Sequence, residues 1–257
     1  MPDEGSQSPL GARVIAVGLA AGLLSGVFGV GGGVLIVPGL MWVVAMEQKR
    51  AHGTSLAAVL PIAVTGLATY LFYGNVDWFA AAFLVLGALP GAVLGTKWLV
   101  RANKRVLAWL FIVVALASAV RLFVGVDVSE ATSRSVALAV WLVAVGFVTG
   151  VLAGLLGIGG GIVMVPALML LGGLPAVLAK GTSLAAIVPT SIVGTWRNRK
   201  TANVDVRAGV TVGVAGAATA VVGGVIAEAL PERAAAVSFA VLMIVVCVRL
   251  ALSDRRA

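Results

Sequence analysis

The chain carries one stretch of sequence twice. Residues 22–66 return as residues 150–194 without a gap, and about 20 of the 45 positions are identical. The offset is constant, 128 residues from Gly29 to Gly157, and the register runs on through Asn75-Val76-Asp77 and Asn203-Val204-Asp205. Solenoid units repeat every 20–50 residues or so, and a period this long is instead a duplicated half-protein. Whatever one half folds into, the other must fold into as well.

Both halves are apolar. Hydrophobic residues make up 61% of the chain and charged residues only 11%, against about 25% charged in soluble domains. The apolar runs reach about 20 residues, the length of a helical span, where a barrel strand alternates over about 10. The chain therefore reads as an all-α, polytopic membrane protein. A net charge of +8 would suggest nucleic acid in a soluble protein. Here the basic residues sit between spans, where they set orientation, and no nucleic-acid partner is expected. The single cysteine, Cys247, lies in an apolar run and excludes an internal disulfide or cysteine cluster. Residues 14–28 pair with residues 142–156 in the repeat, so this run is expected to stay in the mature protein rather than act as a cleaved signal.

Eight apolar segments follow: 14–46, 53–73, 79–99 and 106–124, then 136–174, 181–196, 206–227 and 234–252. They divide into a first membrane repeat (12–126) and a second (135–253) within one transmembrane domain. The first segment of each half is too long for one span. Glycines split it, at Gly29-Val30-Gly31-Gly32-Gly33 and Gly157-Ile158-Gly159-Gly160-Gly161, into either two short spans or a re-entrant hairpin. The halves swap their loop charges. Asn75 and Asp77 occupy a connection where the second half has Arg197, Arg199 and Lys200, while Arg101, Lys104 and Arg105 face Glu228, Glu232 and Arg233. The positive-inside rule then puts matching loops on opposite membrane faces, which predicts inverted repeats, about ten spans and cytoplasmic termini. Lys180, left in an outer connection, is the one dissenting charge.

The glycine breaks are the first candidate site. Each helical Gly costs up to about 1 kcal/mol relative to Ala, so these stretches are not comfortable helix. Broken backbone at membrane depth persists where protein buries it or where it lines a cavity. An opened turn offers N–H groups, and the helix after it adds the positive end of its dipole. Two such turns can hold an anion through Gly29, Gly31, Gly32, Gly33, Gly157, Gly159, Gly160 and Gly161. A tight hairpin needing close helix contact would demand the same residues. A dinucleotide fingerprint is excluded, because its last glycine falls on Val34 and Ile162.

The second candidate is Gly-Thr-Ser-Leu-Ala-Ala, at Gly53–Ala58 and again at Gly181–Ala186, with Pro61 and Pro189 a turn beyond. Thr54, Ser55, Thr182 and Ser183 bring hydroxyls into apolar spans, suited to a substrate path or to close helix packing. His52, aligned with Lys180, is a candidate for proton coupling, and Arg197 for drawing an anion inward; both have plain interfacial readings too. Asp77 and Asp205 read as helix caps. No predicted span has Asp or Glu at its centre, and no catalytic set or metal-ligand spacing exists, so neither an enzyme, a cofactor nor a metal is expected.

Two Gly-rich breaks leading to a Pro, each followed by (H/K)-G-T-S-L-A and an N-V-D turn, resemble the sulfite exporter TauE/SafE family of membrane permeases across almost the whole chain. The resemblance implies a carrier of the cytoplasmic (inner) membrane for small anions, often sulfite, sulfonates or other organosulfur compounds. The chain is thus expected to be a secondary transporter working by alternating access. Its partners would be a small anion and the lipid bilayer, with a homo-oligomer left open. An anion channel and a non-transporting scaffold or assembly factor are the alternatives.

Overall fold

The computed structural model describes residues 9–98, 135–200 and 204–231, with 233, 234, 237, 238, 241, 244 and 245. The segment 106–124, most of 234–252, Cys247 and the loop charges at Arg101, Lys104 and Arg105 lie outside the described residues. Among the described residues there are eight α-helices and no strand. They are α1 (Pro9–Phe28), α2 (Gly33–Val43), α3 (Gln48–Phe72), α4 (Trp78–Trp98), α5 (Val136–Leu156), α6 (Gly161–Leu171), α7 (Ala176–Lys200) and α8 (Val206–Ala229). The bounds of α2 and α3, moved by 128, are those of α6 and α7.

Six of these helices are long and apolar enough to cross a membrane, and the chain is a multi-pass membrane protein. The other two, α2 and α6, have 11 residues each, or about 16 Å, half the hydrocarbon thickness. The arms around each glycine break are therefore unequal, one full-length helix and one half-length. The helices α3 and α7 outrun their apolar segments. Lys49, Arg50 and His52 lie inside α3, while Lys180, Arg197, Arg199 and Lys200 lie inside α7. A hydropathy run stops at a charge. A helix does not, because its hydrogen bonds are local and Lys and Arg are good helix formers.

All five tryptophans among the described residues, Trp42, Trp78, Trp98, Trp141 and Trp196, are more than half exposed, and all but Trp141 lie within the last or first few residues of a helix. This is the aromatic belt of a membrane interface. Inside, Ile36, Leu40, Leu56, Ile62, Tyr70, Leu84, Ile162, Met164 and Leu168 are fully buried.

The two halves exchange helices. Gly18, Gly22 and Gly26 of α1 lie against Val212, Gly216 and Ala220 of α8, so closely that no side chain fits. Their repeat partners Gly146, Gly150 and Gly154 of α5 lie against Leu84, Ala88 and Ala92 of α4. Both pairs run parallel, and each unites a helix of one half with a helix of the other. Glycine at every fourth position keeps one face bare and lets backbones touch. That spacing is visible in the sequence, but the partner is not.

At the centre, α3 and α7 run antiparallel: Gly66 lies against Leu184, and Gly194 against Leu56. Each is the repeat partner of the other, and Val59 and Ile187 are equivalent positions near their midpoints.

Candidate functional site

The two glycine breaks meet beside Val59 and Ile187. Three glycines in each have positive φ: Gly29, Gly31 and Gly32 at 68°, 76° and 75°, and Gly157, Gly159 and Gly160 at 66°, 80° and 79°. Residues with a Cβ enter this region at a cost of roughly 1–2 kcal/mol, which explains the composition. The breaks then cross one another. A Cβ on Gly33 would fall 2.7 Å from the Cα of Ile158, and one on Gly161 would fall 2.7 Å from the Cα of Val30. Only glycine lets two chains pass this closely. Val59 and Ile187 cover the crossing from the midpoints of α3 and α7, each within van der Waals reach of both Gly31 and Gly159.

The electrostatics follow from what is bonded and what is not. Gly31, Gly32, Gly33, Gly159, Gly160 and Gly161 are all buried, and their backbone N–H groups find no acceptor among the described residues. More than nine in ten buried backbone groups are paired in native proteins, so two matched sets of unpaired donors mark an unusual place. The helices α2 and α6 begin here, capped by Gly32 and Gly160 with no side-chain hydrogen bond. Two positive helix ends therefore lie at the crossing of the breaks.

The carbonyl side of each break is satisfied. Ser55 Oγ donates to Gly157 O at 2.9 Å, and Ser183 Oγ to Gly29 O at 3.1 Å. His52 Nδ1 bonds the carbonyl of Leu156, which fixes the proton on Nδ1. Thr54 Oγ1 accepts the backbone N–H of Asp205 at 2.8 Å, and Thr182 Oγ1 that of Asp77 at 2.9 Å. The two aspartates then cap their helices, Asp77 accepting from Ala80 N and Asp205 from Ala208 N. A hydroxyl has one proton, and in Ser55, Ser183 and Thr182 it is already given to a carbonyl. These side chains hold the breaks in place and leave the positive ends open.

Thus the structure brings together all eight candidate glycines, with Ser55, Ser183 and His52 bonded to the breaks and Thr54 and Thr182 tying the same helices to the turns before α8 and α4. It does not bring Arg197 to them: its Nε donates to Thr96 Oγ1 at 3.0 Å, ten residues and about 15 Å along α7 from Ile187. Four buried polar atoms have no hydrogen-bond partner among the described residues: Ser25 Oγ, Lys180 Nζ, Ser191 Oγ and Thr195 Oγ1. None was a sequence candidate. A lysine beside an apolar run looks like a loop charge, and the hydroxyls lie outside the Gly-Thr-Ser-Leu-Ala-Ala motif. The signal available was that a charge at the start of a span disobeyed the loop pattern.

The family pattern described as "Sulfite exporter TauE/SafE" matches residues 2–122 and 142–257. The probable membrane transporter protein YunE of Bacillus subtilis (strain 168) is 31% identical over 207 residues, 70% of this chain and 75% of the relative. A probable membrane transporter protein of Xylella fastidiosa (strain 9a5c) is 32% identical over 183 residues, 70% of this chain and 69% of the relative. One from Methanocaldococcus jannaschii is 29% identical over 187 residues, 70% and 69% of the two chains. No solved structure matches the chain.

Proposed function

From the premise that this chain belongs to the sulfite exporter TauE/SafE family, we propose that it is a membrane transporter for a small sulfur-containing anion, sulfite or a sulfonate, and binds it at the crossing of the two glycine breaks. One observation supports this reading: two helix ends without side-chain caps, with unpaired and buried N–H groups, lie at the crossing of the breaks. Such an array attracts an oxyanion without any charged side chain. Ser55, Ser183 and His52 position it by holding the opposing carbonyls. Burial of the crossing under Val59 and Ile187 favours a carrier over an open channel, because an anion reaches those donors only when the two side chains part.

We further infer that the halves are inverted repeats in the cytoplasmic membrane, with the termini inside. The antiparallel course of α3 and α7 supports inversion. Lys49 and Arg50 at the start of α3, with Arg197, Arg199 and Lys200 at the end of α7, then share the cytoplasmic face.

Uptake of labelled sulfite into proteoliposomes containing only this protein tests the proposal, with sulfonates, sulfate and thiosulfate as competitors. Saturable uptake with counterflow is expected. Uptake that stays linear in concentration would mark a channel, and no uptake of any of these anions would overturn the sulfur assignment.

A further inference from the structure

The repeat is symmetric in backbone and asymmetric in chemistry. His52 and Lys180 are repeat partners, each set against a glycine break: Gly157 lies on the backbone of His52, and Gly29 on the Cα and Cβ of Lys180. His52 bonds the carbonyl of Leu156. Lys180 has only 1% of its surface exposed, yet its ammonium has no hydrogen-bond partner among the described residues. An ionisable side chain buried inside a membrane span marks a function more often than a structural need.

Two more unpartnered groups stand on the same helix. Ser191 Oγ and Thr195 Oγ1 are buried and unbonded, four and eight residues beyond Ile187. At 100° per residue, positions 180, 187, 191 and 195 fall within about 80° of each other on α7, on the side whose Leu184 and Gly194 pack against α3. The repeat partners of Ser191 and Thr195 on α3 are Ala63 and Leu67, so the hydroxyls belong to α7 alone. Glu228 stands near the Lys180 end. Its carboxylate accepts Asn75 Nδ2 at 2.8 Å, and the Asn75 carbonyl abuts Gly181.

We propose that this face of α7 is the anion's route past the glycine crossing, with Lys180 as its charge partner on one side of Ile187 and Ser191 and Thr195 as hydroxyl donors on the other. The inference rests on the anion-transport reading and adds residues to it. The repeated Thr-Ser pairs then hold the scaffold, and the unrepeated polar groups of α7 touch the cargo. The acidic end, at Glu228, supplies Lys180 with an internal carboxylate that competes with the arriving anion.

Equilibrium binding to the full chain in lipid nanodiscs tests this, using sulfite, sulfate, methanesulfonate, nitrate and acetate as probes. Lys180→Gln is expected to weaken binding of the preferred anion about ten-fold or more, and Lys180→Arg by less than about three-fold, as the loss of one charge-assisted bond requires. Ser191→Ala and Thr195→Val should each slow transport several-fold in protein that stays monodisperse, whereas Arg199→Gln, at the exposed end of α7, should not. Glu228→Gln should tighten binding. If Lys180→Gln binds as wild type does, the inference is overturned. Binding of nitrate or acetate alone, lost in Lys180→Gln, would sink the sulfur assignment and uphold the route. Wild-type protein that binds none of the five would overturn both.

Discussion

Val59 and Ile187 are equivalent residues of the two halves, and each packs on both Gly31 and Gly159. Two equivalent side chains thus cover one crossing from both central helices. Trimming either should loosen the closure. Ile187→Val, costing about 0.5–1.5 kcal/mol of stability, should raise the transport of larger sulfonates relative to sulfite. Competition assays in proteoliposomes read this ratio; an unchanged ratio in both Val59→Ala and Ile187→Val would remove the two residues from the gate.

Positive φ at the breaks can be separated from crowding there. Gly74 has φ 73° with open space around it, whereas a Cβ on Gly32 (φ 75°) would lie 2.8 Å from Ala21 O and one on Gly160 (φ 79°) 3.0 Å from Thr149 O. All three changes to Ala carry a similar backbone cost, about 1–2 kcal/mol. Only Gly32→Ala and Gly160→Ala should abolish transport, with membrane insertion retained in each. Equal transport in the three variants would contradict a role for the breaks.

Ser55→Ala and Ser183→Ala should behave alike, because each frees one buried carbonyl at a cost of about 1–3 kcal/mol. A positioning role predicts a lower maximal rate with KM little changed. A large rise in KM at normal rate would instead mean that these hydroxyls bind the anion directly.

The caps and the ion pair above them should differ in weight. Arg50 Nη2 meets Asp205 Oδ2 at 2.9 Å, but the side chains are 53% and 30% exposed. Arg50→Ala is expected to cost less than about 1 kcal/mol. Asp205→Ala and Asp77→Ala each remove a helix cap and should cost about 0.5–2 kcal/mol. Thermal unfolding of the purified protein ranks the three, and an Arg50 effect exceeding both caps would overturn the ordering.

Inversion of the halves is open to direct labelling. In a Cys247→Ser background, Lys49→Cys and Arg199→Cys should react with an impermeant thiol reagent from the same face, and Tyr73→Cys from the opposite one. Labelling of Lys49→Cys and Arg199→Cys from opposite faces would reject it.

The local features of this protein were written in its sequence. The duplication determined that α2 and α6, and α3 and α7, begin and end at matching residues. The glycines determined where each first helix stops, since helix continuation and positive φ are properties of a few neighbouring residues. Asp77 and Asp205 were legible as caps for the same reason. The tertiary structure decided the rest. Helices apolar on every face carry no sequence mark of their neighbours, so the exchange that seats α1 on α8 and α5 on α4 appears only in the packed chain. Ser55 and Ser183 were legible as hydroxyls in apolar spans, suited to a substrate path or to close packing, but the carbonyls they bond, Gly157 O and Gly29 O, appear only in the fold. Lys180 looked like a loop charge until the fold made it part of α7 and buried it against the first glycine break. A hydroxyl's partner and a lysine's burial depend on residues a hundred or more positions away, which no local preference encodes.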